Sequence, residues 1–125
     1  MMRGRGWGNG GGPRRRWGRR MRLIEPMLLL LLAQEEGHGY ALLDRLQREF
    51  GVEGMPAQTV YRLLQEMEAA GWVVSDWDLE TRQGPPRRTY RLTPAGREML
   101  DAWAVEMRAL DRMVGRFLEA YQRLD

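Results

Sequence analysis

The chain has 125 residues, which is enough for one domain with a modest core, and its formal net charge is +3. It contains no cysteine and one histidine, which excludes disulfides, cysteine-ligated zinc and thiol catalysis, so we expect neither an enzyme nor a bound metal or other cofactor. Residues 1–22 carry eight arginines and no acid, whereas the rest of the chain has twelve basic and seventeen acidic side chains, and this basic tail favours a polyanion as partner.

Residues 1–22 are dominated by glycine and arginine. Glycine makes ordering costly, and the segment has little apolar surface to offset that cost, so we predict a disordered tail. Its role stays open between a solubilising segment and an arm that follows nucleic-acid phosphates. Trp7 and Trp17 can stack on unpaired bases, which leaves an RNA or single-stranded nucleic-acid binder as the alternative function.

A leucine-rich run from Leu23 to Ala33 predicts the first helix of the folded part. We expect this helix to begin near Pro26, because proline suits a first turn, and to be buried almost all round. A basic start before a leucine run also resembles a secretory signal, but Glu25 and Pro26 interrupt the run. The run is also far too short to span a bilayer, so we predict a cytoplasmic protein without a membrane partner.

Two further helices are predicted on either side of a short connection, Val52–Met55. The first of them starts at His38, which we interpret as a cap or packing group rather than a ligand. A helix, a short turn and a helix in this order are typical of a helix-turn-helix. The apolar stripe predicted for the first of the pair consists of Tyr40, Leu43, Leu46 and Phe50.

The helix that follows the connection is the candidate for insertion into a DNA groove. It begins at Pro56 and ends at Gly71, a residue suited to a helix C-terminus. Helical spacing predicts that it buries Val60, Leu63, Leu64 and Met67. Its opposite face is polar and suits contact with phosphates and base edges. The predicted DNA contacts on this face are Gln58, Thr59, Tyr61 and Arg62.

Two alternating runs, Trp72–Leu79 and Arg88–Thr93, predict a β-hairpin after that helix. The turn between them is basic and contains no acid. A groove-binding helix followed by a hairpin with a basic tip is the order of a winged helix. The side chains predicted to face inward are Val73, Trp77, Leu79, Tyr90 and Leu92. The wing arginines predicted to contact DNA are Arg82, Arg87 and Arg88.

Thr93 as N-cap and Pro94 in the first turn predict the start of a last helix. Its apolar residues keep a strict seven-residue repeat, as a helix does when it packs on a partner helix. The preceding domain is too small to cover so long a stripe, so we predict a homodimer. Packing on the chain's own first helix, or on another protein, stays open. The predicted seam consists of Leu100, Trp103, Met107, Leu110, Val114, Phe117, Tyr121 and Leu124.

Trp103 has two interpretations. The first is plain core packing. The second is that two-fold symmetry brings two copies together, so that they hold a small flat aromatic ligand between their rings. Met99 lies one turn away and is an adaptable filler that suits either arrangement.

The predicted fold is therefore mainly α with a small β-hairpin. Residues 1–22 form the tail, residues 23–93 a winged helix-turn-helix domain that binds double-stranded DNA, and residues 94–125 a C-terminal dimerisation helix.

These segments together resemble the PadR family of bacterial transcriptional regulators. The match is carried by Leu28–Phe50 with its His38-Gly39-Tyr40, by Thr59-Val60-Tyr61 followed by Gly71, and by Gly84–Gly96. The resemblance implies a winged-helix fold, a two-fold dimer built by the C-terminal helix, and repression by operator binding at the nucleoid in the cytoplasm. The short C-terminus resembles the small subgroup, some members of which hold flat aromatic drugs between paired tryptophans.

Two positions depart from the family pattern. The family often has a serine that caps the DNA-binding helix, whereas Met55-Pro56-Ala57 offers no side-chain cap. A small residue often precedes the threonine, where this chain has Gln58, so base contacts by Gln58 would be specific to this protein. The Gly/Arg tail lies outside the family core, and the resemblance implies nothing about its role.

Overall fold

The computed structural model describes the backbone of residues 13–78 and 87–124, and the side chains of residues 23–78 and 87–124. Its order of elements is that of a winged helix-turn-helix followed by one long helix, and the predicted fold class is confirmed. The elements are α1 (Pro13–Gln34), β1 (Gly37–His38), α2 (Gly39–Phe50), α3 (Ala57–Ala69), β2 (Val73–Asp78), β3 (Arg87–Leu92) and α4 (Pro94–Gln122).

Helix α1 begins earlier than the sequence predicts. It starts at Pro13, and Pro26, the expected start, lies inside it. Residues 13–22, predicted as part of a disordered tail, therefore have helical backbone, while residues 1–12 lie outside the described residues. Arginine, which is frequent in residues 13–22, and methionine are good helix formers. The prediction missed this helical part because it averaged the glycine content over the whole tail.

Helices α1 and α3 supply most of the hydrophobic core. The predicted stripe of α3 is confirmed, because Val60, Leu63, Leu64 and Met67 are all buried. Helix α1 is less enclosed than predicted, since Leu30 is exposed and Met27 is only half-buried. The core residues of α1 are Ile24, Leu28, Leu29, Leu31 and Leu32.

The predicted stripe of α2 is confirmed at Leu46 and is wrong at Tyr40. Leu42 and Leu46 are fully buried, whereas Leu43 and Phe50 are half-buried and Tyr40 is exposed. Adjacent leucines at 42 and 43 fit two overlapping helical faces, and periodicity alone does not choose between them. The choice is made by contact with α1 and α3, which lies outside the local pattern.

The sheet has three strands in the order β1-β3-β2, all antiparallel. Strand β1 is not predicted from the sequence, because its two residues have no alternating pattern. Its Gly37 pairs with Tyr90, and its His38 pairs with Thr89. The sheet therefore ties the start of α2 to the hairpin.

Within the hairpin, the inward positions are only partly as predicted. Val73 and Tyr90 are buried and Leu92 is half-buried, in agreement with the prediction. Trp77 is 57% exposed, so its assignment to the core is wrong. It shares a face with Val73 but lies four residues further along β2, in the last pairs of the hairpin before its turn. Leu79 lies outside the described residues.

Helix α4 begins as predicted. Thr93 Oγ1 accepts a hydrogen bond of 3.0 Å from the Gly96 amide, and Pro94 occupies the first turn. The first part of α4 packs on α1, whereas every residue from Arg108 to Leu124 is exposed in the single chain. None of the described helices combines the length and the apolar composition needed to cross a membrane.

Candidate nucleic-acid interface

The outward face of α3 presents most of the predicted DNA contacts. Gln58 and Arg62 are exposed, and Thr59 is half-buried. Arg62 already forms an ion pair along the helix, with 2.9 Å between its Nη1 and Glu66 Oε2. Such an exposed pair contributes little free energy, so the guanidinium can exchange this partner for a phosphate or a base at small cost.

Tyr61 is placed differently from the other predicted contacts. It is half-buried, and its ring lies so close to Gly39 that a Cβ at that position would collide with it. The edge of the ring also meets Tyr40, with centroids 5.9 Å apart and planes at 84°. Burial raises the pKa of Tyr61, with smaller contributions from Tyr40 and Tyr90 and an opposing one from Arg87. Tyr61 therefore holds α3 against α2.

The single histidine joins the hairpin to α2. The Nδ1 of His38 lies 3.1 Å from the carbonyl oxygen of Arg88 and 3.3 Å from the hydroxyl of Thr89. Its Nε2 lies 3.7 Å from an Asp78 carboxylate oxygen. The predicted structural role agrees with these contacts, although His38 makes no side-chain cap to α2.

The three predicted wing arginines have different surroundings. Arg82 lies outside the described residues, and Arg87 is exposed at the start of β3, opposite Asp78. Arg88 lies 4.9 Å above the centroid of Trp77 and 3.7 Å from a Glu68 carboxylate oxygen. The guanidinium of Arg88 therefore already has partners within the protein, whereas an arginine that contacts only phosphate would have none.

Glu68 is the centre of this inward contact. Its carboxylate accepts hydrogen bonds of 2.9 and 3.1 Å from the Ser75 hydroxyl in addition to the ion pair with Arg88. Ser75 belongs to β2 and Glu68 to the last turn of α3, so these bonds set the position of the hairpin relative to the helix.

A cleft of about 640 Å³ lies between the first turn of α2, helix α3 and the end of the hairpin nearest its turn. We call it the wing cleft. Its walls combine aromatic rings with side chains that donate hydrogen bonds, and Tyr40 and Trp77 are 63% and 57% exposed. The principal wall residues are Tyr40, Tyr61, Gln65, Trp77, Arg87 and Arg88. Sequence analysis missed Tyr40 and Trp77 because both fit an apolar stripe, and stripe patterns do not indicate which aromatic residues remain uncovered.

The predicted dimer seam divides into two parts. Leu100, Trp103 and Met107 are half-buried, and Leu100 and Trp103 pack against the core, as does Met99. The remaining seam residues are exposed, with Phe117 at 66% and Leu124 at 71%. The exposed part consists of Leu110, Val114, Phe117, Tyr121 and Leu124.

Trp103 is anchored to α1. Its indole hydrogen-bonds the Glu25 carboxylate of that helix. Burial raises the pKa of Glu25 above its ordinary value, and the hydrogen bond from Trp103 opposes this rise in part. An apolar groove of about 550 Å³ lies beside this contact, walled by Met27, Leu30 and Leu100 among others. Within one chain Trp103 therefore packs on the first helix and also borders an open groove.

A model of the PadR-like family of transcriptional regulators matches residues 28–102. The chain belongs to this family. As a PadR-like regulator it is a DNA-binding protein of transcription control and not an enzyme, so the resemblance and the function are confirmed at that level. No curated protein matches the sequence at a significant level.

Solved structures agree with this assignment. A conserved protein described as a potential transcriptional factor is 32% identical, with a TM-score of 0.69 over 90% of this chain and 93% of its own. A PadR family regulator from Eggerthella lenta is 33% identical, with a TM-score of 0.61 over 74% and 80%. A putative regulator from Thermoplasma acidophilum shares the fold at 24% identity, with a TM-score of 0.72 over 84% and 96%.

Proposed function

We propose that this PadR-like regulator is a homodimeric repressor that binds a specific operator in double-stranded DNA. The observation that carries the proposal is the polar outward face of α3 beside the basic wing cleft, on the fold of a family of transcription regulators. Side chains of the types found there, arginine, glutamine, threonine and tyrosine, bond both phosphates and base edges. Blocking a promoter by occupying its operator is the simplest way for so small a chain to act.

The exposed half of the α4 seam supports the homodimer. Phe117, Tyr121 and Leu124 expose most of their surface, and a contiguous apolar stripe of this kind marks an interaction site. A second copy of α4 presents the same stripe, so a two-fold axis satisfies both. Two recognition helices related by that axis then contact half-sites roughly 34 Å apart along the duplex.

A small flat aromatic effector fits the same arrangement. The groove beside Trp103 is lined by Leu100 and Met107, which belong to the same seven-residue repeat as the exposed stripe of α4, and in a dimer it would lie near the junction of the two chains. A ligand bound there would change the distance between the two copies of α3 and release DNA. By linkage, DNA would weaken the ligand by the same factor.

The function is tested by selecting duplexes from a random pool with the full chain. The selected duplex should bind roughly 10³-fold tighter than an unrelated one at physiological salt. The single strands of that duplex should bind no tighter than unrelated strands. Enrichment of single strands or RNA instead would favour the alternative in which the Gly/Arg tail leads binding.

Arg62 provides a matched test of the α3 face. Replacing Arg62 by alanine should cost about 1–3 kcal/mol on the selected duplex if it contacts a base. Arg48→Ala is the control, because Arg48 forms the same kind of exposed ion pair along α2, 2.8 Å to Asp44, as Arg62 forms along α3, 2.9 Å to Glu66. Equal affinity of the two variants would remove Arg62 from the interface.

A further inference from the structure

We infer that the wing cleft holds the sugar–phosphate backbone of one DNA strand, with Tyr40 and Trp77 as contact residues that adjoin the predicted ones. The inference rests on the proposed function and names the residues that would hold that strand. Tyr40 supplies a hydroxyl to a phosphate oxygen, and Trp77 supplies an apolar face to the adjoining sugar.

The position of the cleft follows the geometry of B-form DNA. In the complex that we infer, helix α3 lies in a major groove, which is wide enough for a helix, and the hairpin beside it lies at the adjoining minor groove. These two grooves are separated by a single backbone. When α3 and the hairpin occupy adjacent grooves, that backbone has to pass between them, and the space between them is the wing cleft.

The walls of the cleft suit a phosphodiester. Tyrosine hydroxyls, a glutamine amide and arginine guanidinium groups are the donors that proteins use for phosphate oxygens. Arg87 lies close enough to Tyr61 to oppose the rise in the pKa of its hydroxyl, so positive charge and hydroxyl donors are neighbours there. Asp78 and Glu68 also lie near the cleft, but contacts to His38 and to Ser75 and Arg88, respectively, partly satisfy their carboxylates.

The exposure of Tyr40 and Trp77 is typical of a surface that contacts a partner, here the DNA backbone. Tyr40 is 63% exposed although its ring packs nearly perpendicular to that of Tyr61, so its orientation is fixed while most of its surface remains accessible. Trp77 is 57% exposed although Arg88 stacks on its ring. Large aromatic side chains held in place but left uncovered are typical of contact surfaces.

The test uses the full chain and the selected duplex, in which single phosphates are replaced one at a time by uncharged methylphosphonates. Tyr40→Phe removes only the hydroxyl and should weaken binding about tenfold, the effect of one hydrogen bond to a charged group. One or two adjacent methylphosphonates should weaken the wild type by a similar factor. Those same substitutions should cost Tyr40→Phe nothing more, while all other positions should cost both proteins equally.

Trp77 is tested on the same series of duplexes. Trp77→Ala should weaken binding to every duplex of the series by the same factor, because Trp77 contacts a sugar rather than a phosphate, and Trp77→Phe should restore most of the affinity because a ring is retained. Thermal unfolding of each variant is the control for folding. Both side chains are mostly exposed, so the midpoint of Tyr40→Phe should stay close to that of the wild type, and that of Trp77→Ala should fall only by the lost stacking of Arg88.

Four outcomes are distinguishable. Localised coupling of Tyr40 to one or two phosphates supports the cleft as the backbone site. A Tyr40→Phe variant with the same pattern as the wild type across the substituted duplexes, or a Trp77→Ala variant that binds as tightly as the wild type, overturns it, while the proposed function stands. If a flat dye binds the free protein and loses its site in Trp77→Ala while DNA affinity is unchanged, the cleft belongs to a small molecule and the inference is wrong. If no duplex is enriched at the start, the proposed function itself fails and the inference fails with it.

Discussion

At the scale of single residues, Arg87 and Arg88 have the same side chain but different surroundings. Arg87 is exposed and lines the wing cleft close to Tyr61, whereas Arg88 lies over Trp77 and pairs with Glu68 in the last turn of α3. In the register of the hairpin, Arg88 is opposite Trp77 and Arg87 is opposite Asp78. Arg87 is therefore suited to a phosphate contact, and Arg88 to holding the hairpin on α3.

We expect the two arginines to give different phenotypes. Arg87→Ala should reduce the salt dependence of DNA binding by about one unit of slope and leave stability unchanged. Arg88→Ala should lower the free energy of unfolding by roughly 1 kcal/mol, because the variant lacks the stacking on Trp77 and a partly exposed ion pair. Salt titrations and thermal unfolding of both variants measure the two effects. The same reduction of slope in both would mean that Arg88 leaves Glu68 to contact DNA.

At this scale the sequence predicted residue types better than orientations. Gln58, Thr59 and Arg62 lie on the expected face of α3, since helical spacing decides that face. Tyr61 and Arg88 also contact the protein's own helices, through Gly39 and through Glu68. Those contacts join residues far apart in the chain, so no local pattern indicates them.

At the scale of elements, the helix-turn-helix, the hairpin and the cap of α4 follow from local signals, and all are present. The elements that were missed depend on distant partners. Strand β1 exists because Gly37 and His38 reach β3, about fifty residues along the chain. The true start of α1 was missed because glycine content was averaged over a tail whose second half is rich in helix formers.

The prediction at the element scale concerns the exposed stripe of helix α4. Phe117 lies on the exposed stripe and is 66% exposed in the single chain, so its replacement by glutamate removes little packing within one chain. In a homodimer the same change places two carboxylates in an apolar seam, which is strongly unfavourable. Phe117→Glu should therefore convert a species of twice 14.6 kDa into one of 14.6 kDa in sedimentation experiments.

Ala109→Glu is the matched control for the seam. Ala109 is exposed on the same helix but lies off the seven-residue repeat, so it should leave the dimer intact. A wild-type chain that sediments as a monomer at micromolar concentration would refute the seam, as would a dimer that tolerates Phe117→Glu.

At the scale of the whole molecule, charge is separated along the chain. Residues 1–22 hold eight of the twenty basic side chains and none of the seventeen acids. Helix α1 begins at Pro13, so most of these arginines belong to a helix that continues into the core rather than to a loose arm. In a dimer each chain contributes one such arginine-rich segment, and DNA would attract both without regard to its sequence.

This arrangement changes how the tail should be tested. Deleting residues 1–20 would cut into α1, so weaker DNA binding could reflect a damaged helix. Replacing Arg14, Arg15, Arg16, Arg19 and Arg20 by glutamine removes the charge and retains residues that favour a helix. The unfolding midpoint should therefore stay near that of the wild type, while affinity for an unrelated duplex should fall. The slope of that affinity with salt should become shallower by about 0.9 for each phosphate that the variant no longer neutralises.

Affinity for the selected operator should fall by a similar factor, because phosphate contacts add the same free energy on every sequence. The ratio of specific to non-specific binding should therefore be unchanged. An unchanged slope on the unrelated duplex would leave the segment with a solubilising role, and a changed ratio would mean that these arginines contact bases.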